Sequence, residues 1–254
     1  MEGYENEYNF VLCLNNKKVC ELNPILHDLV CCIFKNVKDE DLIKSWTNHY
    51  KQKTDVFIKI GNTLKGISIK MGSRNSVHVE SIQEFVFFLI DHGVPNNIVN
   101  DYLSFHYADG TINNTGVNRV SAEEYKKDNQ SKIDLINEYF NDTKILLDAI
   151  DRFLLIGNNS DYSIDAIIFG VPNDFLWLSR NDIIDYLLSN KRYCSSPHFG
   201  ELICQPMNRC LNYNEKYEKF REYIQIKWYS LFDSIIEQMN NNFIRKNGRK
   251  FSDY

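Results

Sequence analysis

The chain is poor in the features that define several large functional classes. It has 5 prolines and 11 glycines among 254 residues, and neither an internal repeat nor a low-complexity linker divides it. No apolar run reaches the length of a membrane span; the best, Ile25 to Phe34, is short and broken by His27 and Asp28, so no membrane association is expected. The start, Met1-Glu2-Gly3-Tyr4-Glu5, is acidic and lacks the basic-then-apolar order of a secretory signal, which points to a cytoplasmic protein, bacterial in the reading taken below. No Gly-x-Gly-x-x-Gly, Walker loop, Gly-x-Ser-x-Gly or His-Glu-x-x-His occurs, which argues against dinucleotide, nucleotide, serine-hydrolase and zinc-protease chemistry. The 7 cysteines form no Cys-x-x-Cys pair, and an odd count with the doublet Cys31-Cys32 argues against a disulfide framework. They read as reduced and mostly buried. Cys194, His198, Cys204 and Cys210 share one window, but their spacing matches no common zinc finger.

What is present is an ordinary soluble composition, enough for one good core or two small ones. A net charge of −5 does not fit a protein that coats nucleic acid. Locally the balance reverses: over residues 51–76, Lys51, Lys53, Lys59, Lys65, Lys70 and Arg74 stand against Asp55 alone, and the tail Arg245 to Lys250 is also basic.

The element order follows from periodicity and punctuation. Tyr8–Leu14 alternates weakly and reads as a strand. Asn23-Pro24 opens a helix whose stripe is Ile25, Leu26, Leu29, Val30 and Ile33, and a second helix is expected over Glu40–Tyr50. Strands over Asp55–Ile60 and Gly66–Met71, joined by Gly61 to Lys65, form a hairpin. A helix is expected over Val79–His92, then a short one to Phe105. Ala108–Val120 is a polar loop with the composition of a mobile one, and Lys132–Leu155 reads as one long amphipathic helix. Then follow a strand at Ser163–Val171, a helix at Arg180–Ser189, strands at Leu202–Met207 and Tyr223–Trp228, and a closing helix over Tyr229–Phe243. The expectation is a single α/β domain over 1–254 with a helical insertion near 95–156.

The chemistry concentrates in residues 54–80. Along Gly66-Ile67-Ser68-Ile69-Lys70 the pleat puts Ile67 and Ile69 on one face and Ser68 and Lys70 on the other. The hairpin brings Asp55, heading one strand, towards Lys70, ending the next. Glu80 and Glu84 lie one helical turn apart in the expected helix, opposite the stripe Ile82, Phe85, Val86 and Leu89. Hydrolysis of a phosphodiester with a hard cation needs carboxylates for the metal and an ammonium beside the phosphate.

This stretch resembles the PD-(D/E)XK restriction-endonuclease-like superfamily. Asp55 matches the acid that opens one strand, and Ser68-Ile69-Lys70 occupies the (D/E)-x-K triplet. Thr54 stands in place of the usual proline, and Ser68 in place of the second carboxylate. The resemblance implies a mixed sheet flanked by helices and an Mg²⁺-dependent DNA endonuclease, with Mn²⁺ able to substitute. Its metal would be held by Asp55, the carbonyl oxygen of Ile69 and a displaced acid, Glu80 or else Glu84. Some members use a glutamate from an earlier helix, for which Glu21 is the candidate here. Lys70 would orient the attacking water. The resemblance further implies a homodimer acting on double-stranded DNA in restriction or anti-phage defence, with a cognate DNA methyltransferase as a partner.

DNA contacts are expected from Arg74, Asn75 and His78 after the second strand, and from Gln205, Asn208, Arg209 and Lys227 farther on. A rival site would pair Asp165 with Gln225-Ile226-Lys227. The serine in the triplet leaves open a nuclease-like protein that binds DNA without cutting it, and RNA or branched DNA remains an alternative substrate.

Overall fold

A computed structural model describes residues 2–50, 52–71, 76–158, 162–190, 195–207 and 218–238. It divides into two compact units. The first comprises Met1–Arg74, Leu154–Tyr186 and Ser230–Tyr254, and the second Asn75–Phe153 and Leu187–Tyr229.

The first unit is built on a five-stranded mixed sheet. Its strands are β1 (Ile43–Thr47), β2 (Val56–Ile60), β3 (Thr63–Lys70), β5 (Ala166–Val171) and β6 (Asp174–Ser179), in the order β1-β2-β3-β5-β6. Every neighbouring pair is antiparallel except β3 with β5, which run parallel with Lys70 opposite Phe169. Two helices cover one face: α1 (Glu2–Leu14) packs on β1, β2 and β5, and α2 (Pro24–Ile33) on β6. The apolar core between them joins Phe10, Leu14, Leu26, Leu29 and Val30 to Val56, Ile58, Ile67 and Ile168. Burying such side chains contributes roughly 1.5–3 kcal/mol each. The N-cap of α2 is as expected, with Asn23 Oδ1 accepting from the Leu26 amide at 2.9 Å and Pro24 in the first turn.

Two expectations fail in this unit. Tyr8–Leu14 is helix, not strand, because its working period is i, i+4: Asn6, Phe10 and Leu14 are the buried positions. Glu40–Tyr50 is not helical; it contains β1, with Ile43 and Ser45 turned inward. Ser45 hides the alternation from sequence, and the fold accommodates it by a bond from Ser45 Oγ to the Phe57 carbonyl at 2.8 Å. The β6 strand was not anticipated. Nor is burial the rule for the thiols: Cys20, Cys31 and Cys32 are exposed, and Cys204 is buried.

The second unit holds the antiparallel sheet β4-β9-β8-β7, formed by β4 (Ser76–Ser81), β9 (Tyr223–Lys227), β8 (Leu202–Pro206) and β7 (His198–Phe199). With it are α3 (Ile82–Asp91), α4 (Asn96–Tyr107), α5 (Ala122–Phe140) and α6 (Thr143–Ile150), so the helices of 95–156 share a unit with a sheet of their own. Its core is aromatic: Phe140 and Phe199 stack at 4.3 Å, and Phe85 sits 4.9 Å from Tyr102 and 5.8 Å from Phe153. The long helix expected over Lys132–Leu155 is interrupted, since Asp142 caps α6 by accepting from the Lys144 and Ile145 amides. The loop after α4 is tied down rather than mobile. Asp109 accepts from the Thr111 amide, the Thr111 hydroxyl and the Gly116 amide, and buried Arg119 donates to the carbonyls of Tyr107 and His106. α7 (Arg180–Ser189) forms as expected; of the closing helix expected over Tyr229–Phe243, residues 231–238, in the first unit, are helical, and 239–243 lie outside the described residues.

Candidate active site

Asp55 precedes β2, and its amide donates to the Ile67 carbonyl at 2.9 Å, which extends the hairpin ladder by one residue. That register sets the aspartate beside the end of β3. Asp55 Oδ2 accepts from Ser68 Oγ at 2.9 Å and from the Ile69 amide at 2.6 Å. Lys70 Nζ lies 3.8 Å from the same oxygen, and both side chains stay partly open, 28% exposed for Lys70 and 21% for Asp55. Oδ1 has no hydrogen-bond partner among the described residues.

Close approach of Thr54 to β3 holds this arrangement. A Cβ at Gly66 would lie 2.6 Å from Thr54 Oγ1 and 3.0 Å from the Ser163 carbonyl, so only glycine fits opposite Phe57 in the ladder. Thr54 is buried, and it delivers the next residue, Asp55, to the site.

A third ionisable group belongs here that the sequence reading missed. Glu7, on α1, has its carboxyl pushed up to about 7, first by burial and then by the negative charge of Asp55, with Lys70 opposing. It flanks Asn6, whose buried amide donates to the Gly170 carbonyl at 2.9 Å and pins this turn of α1 to the end of β5. The available signal was an acid inside the buried helical stripe Asn6, Phe10, Leu14; reading the segment as a strand concealed it. Glu21, the earlier-helix candidate, is spent elsewhere: it lies in a 3₁₀ turn, and its Oε2 accepts from the Lys18 amide at 2.7 Å.

Two carboxyls that feel each other's charge, one keeping its proton towards neutrality first because it is buried and then because the other is charged, make an oxygen donor set suited to a hard divalent cation. Among the described residues no group of three or more His, Cys, Asp or Glu converges as a metal site, for Ser68 fills the remaining carboxylate position.

Glu80 requires correction. It does not open a helix; it lies within β4, and α3 begins after Ser81, whose hydroxyl accepts from the Glu84 amide at 3.1 Å. Its side chain is fully buried in the second unit. Arg152 Nη2 lies 2.6 Å from Glu80 Oε2, and His78 Nε2 lies 3.3 Å from the same atom. Burial alone would raise the Glu80 carboxyl, yet the hydrogen bonds from His78 and Arg152 outweigh it and hold the group below its ordinary range. Arg152 also stands over the Phe88 ring, and His78 packs 5.2 Å from Phe153. Glu80 and His78 thus form an internal charge cluster, and Glu84 serves the first turn of α3.

The other candidates are dispersed. Asp165 bonds Lys65 Nζ at 2.7 Å and the Gly66 amide at 2.9 Å, joining β3 to the start of β5, so its carboxylate is committed to that seam. In the second unit Gln225 donates to Ser76 Oγ, Gln205 accepts from Tyr229 OH, and Lys227 lies over the Tyr229 ring. Arg74, Asn75, Asn208 and Arg209 lie outside the described residues, as do Cys194 and Cys210 of the cysteine window.

No protein-family model and no curated protein matches the sequence. Among solved structures, the chain is similar to restriction endonuclease MspI in a crystal structure with its cognate DNA. The identity is 14%, the TM-score 0.52, and 87% of each chain is covered. The mixed sheet with its flanking helices is therefore a restriction-endonuclease-like fold.

Proposed function

We propose that the protein is a metal-dependent DNA endonuclease whose reaction centre is Asp55, Lys70, Glu7 and the Ile69 peptide. The supporting observation is Asp55 set beside Lys70 at the end of β3, with Glu7 near enough to feel the charge of both, in a fold shared with a restriction endonuclease. Asp55, Glu7 and the carbonyl oxygen of Ile69 would hold Mg²⁺, or Mn²⁺ in its place. When bound, the cation supplies a counter-charge for the phosphate and lowers the pKa of water. The Ser68 hydroxyl and the Ile69 amide fix Asp55 through Oδ2 and leave Oδ1 for that ligand. Glu7 moves the second acid from Glu80, whose carboxylate is engaged by Arg152 and His78, to α1. Lys70 orients the attacking water and offsets charge gathering on the phosphate oxygens.

Cutting both strands takes two such centres, which a two-fold homodimer supplies. A DNA methyltransferase encoded next door would mark a restriction role. The test is nicking and linearisation of a supercoiled plasmid in Mg²⁺, in Mn²⁺ and in EDTA. Cleavage should require the cation and vanish in Lys70→Ala, while DNA retention in a gel persists. A Lys70→Ala protein that cuts at the wild-type rate would refute the assignment. Ser68 favours one other reading, DNA binding without hydrolysis, and retention with no cutting in either cation would select it.

A further inference from the structure

The face of the first sheet that carries Ser68 and Lys70 continues away from them as a lysine and aromatic surface. Residues directly opposite in an antiparallel ladder share a face. Gly66 pairs with Phe57, and Phe57 with Trp46; Leu64 pairs with Lys59, and Lys59 with Lys44. These two rows therefore follow Lys70 and Ser68 along β3, stepping about 7 Å per pair of residues. In the first row Trp46 is 41% exposed and lies 5.6 Å from Phe57, which Tyr162, 47% exposed, meets edge-on at 5.2 Å. Phe57 is buried between them and fixes both rings at the surface.

The second row is unusual. Lys44 and Lys59 stand directly across from each other, and neither has an ion-pair partner among the described residues. Like charges so placed destabilise a sheet. A fold that only needed a soluble face would gain from an acid at either position. The opposed ammonium groups, beside exposed aromatic rings and in line with the reaction centre, suit an anionic partner with flat rings.

We infer that this surface binds an unpaired nucleic acid strand, with a base stacked on Trp46 and phosphate held between Lys44 and Lys59. A stacked base needs an open ring face, which a duplex interior does not offer, and rings spaced with cations are how unpaired strands are held. The course of the strand towards Lys70 rests on the nuclease reading; its binding does not.

The experiment uses the full chain in EDTA with a labelled oligothymidylate of about twelve nucleotides and a duplex of the same length. Trp46→Ala should weaken binding of the single strand about tenfold, and Trp46→Phe should restore most of it. Lys44→Glu should weaken it comparably and flatten its salt dependence by about one phosphate contact. Because that variant faces Lys59 with an acid, it should also raise the melting temperature. A face with a purely structural role would not separate the two effects in that way. Affinity for the duplex should stay unchanged in all three. Unchanged single-strand binding, equal losses for duplex and single strand, or a change of oligomeric state in Trp46→Ala would each overturn the inference. Plasmid cleavage with these variants separates the two readings. Cleavage with no surface-dependent binding removes the strand track alone, and surface-dependent binding without cleavage removes the nuclease reading alone.

Discussion

Asp55 with Lys70 and Glu7 in the first unit, and Glu80 with Arg152 and His78 in the second, each set carboxyls beside basic groups and end in opposite electrostatic states. Around Glu80 the hydrogen bonds from Arg152 and His78 outweigh burial, the carboxylate is closed off from water, and its proton affinity falls. Around Asp55 the acids outnumber the lysine, the groups stay partly open, and Glu7 holds its proton to about pH 7. A neutralised, sealed cluster has nothing left to offer a ligand. A cluster with an acid still protonated near neutrality and an open carboxylate oxygen does.

The strongest way to sharpen that contrast is to delete a cation from each cluster. On the proposed role, Lys70→Ala should lower cleavage by about a thousandfold, read from plasmid nicking, with little change in unfolding, since the Lys70 side chain is partly open and lies outside the core. Arg152→Met should do the reverse. It strands a buried carboxylate and should cost about 3 kcal/mol, read from the urea midpoint, with cleavage by the folded fraction nearly intact. If Arg152→Met instead abolished cleavage without unfolding the protein, the division between chemical and structural clusters would fail.

Gly66→Ala probes the seat beneath the first cluster. The new Cβ meets Thr54 Oγ1 and the Ser163 carbonyl, so a loss of roughly 1–3 kcal/mol is expected, with a parallel fall in activity as Asp55 shifts. Thr54→Ala in the same chain should recover part of both.

Glu7 supplies a pH signature that the Glu80 cluster cannot imitate. Its folded carboxyl binds a proton up to about pH 7, whereas the unfolded chain releases it near 4.5. Between those values the folded state holds more protons, so stability falls as pH rises. Glu7→Gln should remove this decline, leaving the variant more stable than wild type at pH 8 and equal to it at pH 4, measured by denaturant titration. It should also weaken Mn²⁺ binding. Ser68→Ala is expected to have the smallest effect, about 1 kcal/mol from one lost bond to Asp55, because the Ile69 amide still holds the same oxygen.

The hairpin was legible because Val56 to Ile60 and Ile67 to Lys70 obey period two and bury one face completely. That sufficed to place Asp55 beside Lys70. The second acid was not legible, for two reasons of the same kind. Asn6 and Glu7 stand as polar residues in or beside the stripe of α1, Asn6 bonding the Gly170 carbonyl and Glu7 lying within the field of Asp55 and Lys70, and they disguise the helix. Glu80 was assigned to a helix because the apolar stripe of α3 begins only two residues later; Ser81 in its capping role, with Glu84 three residues on, was the true start signal. Trp46, an exposed aromatic on β1, obscured that strand likewise. Each error falls where a side chain serves something other than the local core.

The parallel seam between β3 and β5 has a kinetic corollary. The chain leaves the first sheet at Lys70 and rejoins it at Ala166, so the second unit's β4 and α3 to α6 are synthesised before the sheet can close. Pairing of β2 with β3 is local and inexpensive in loop entropy, whereas docking of β5 is not. Amides of the hairpin should therefore gain protection from solvent exchange early in refolding, and those of β5 and β6 late.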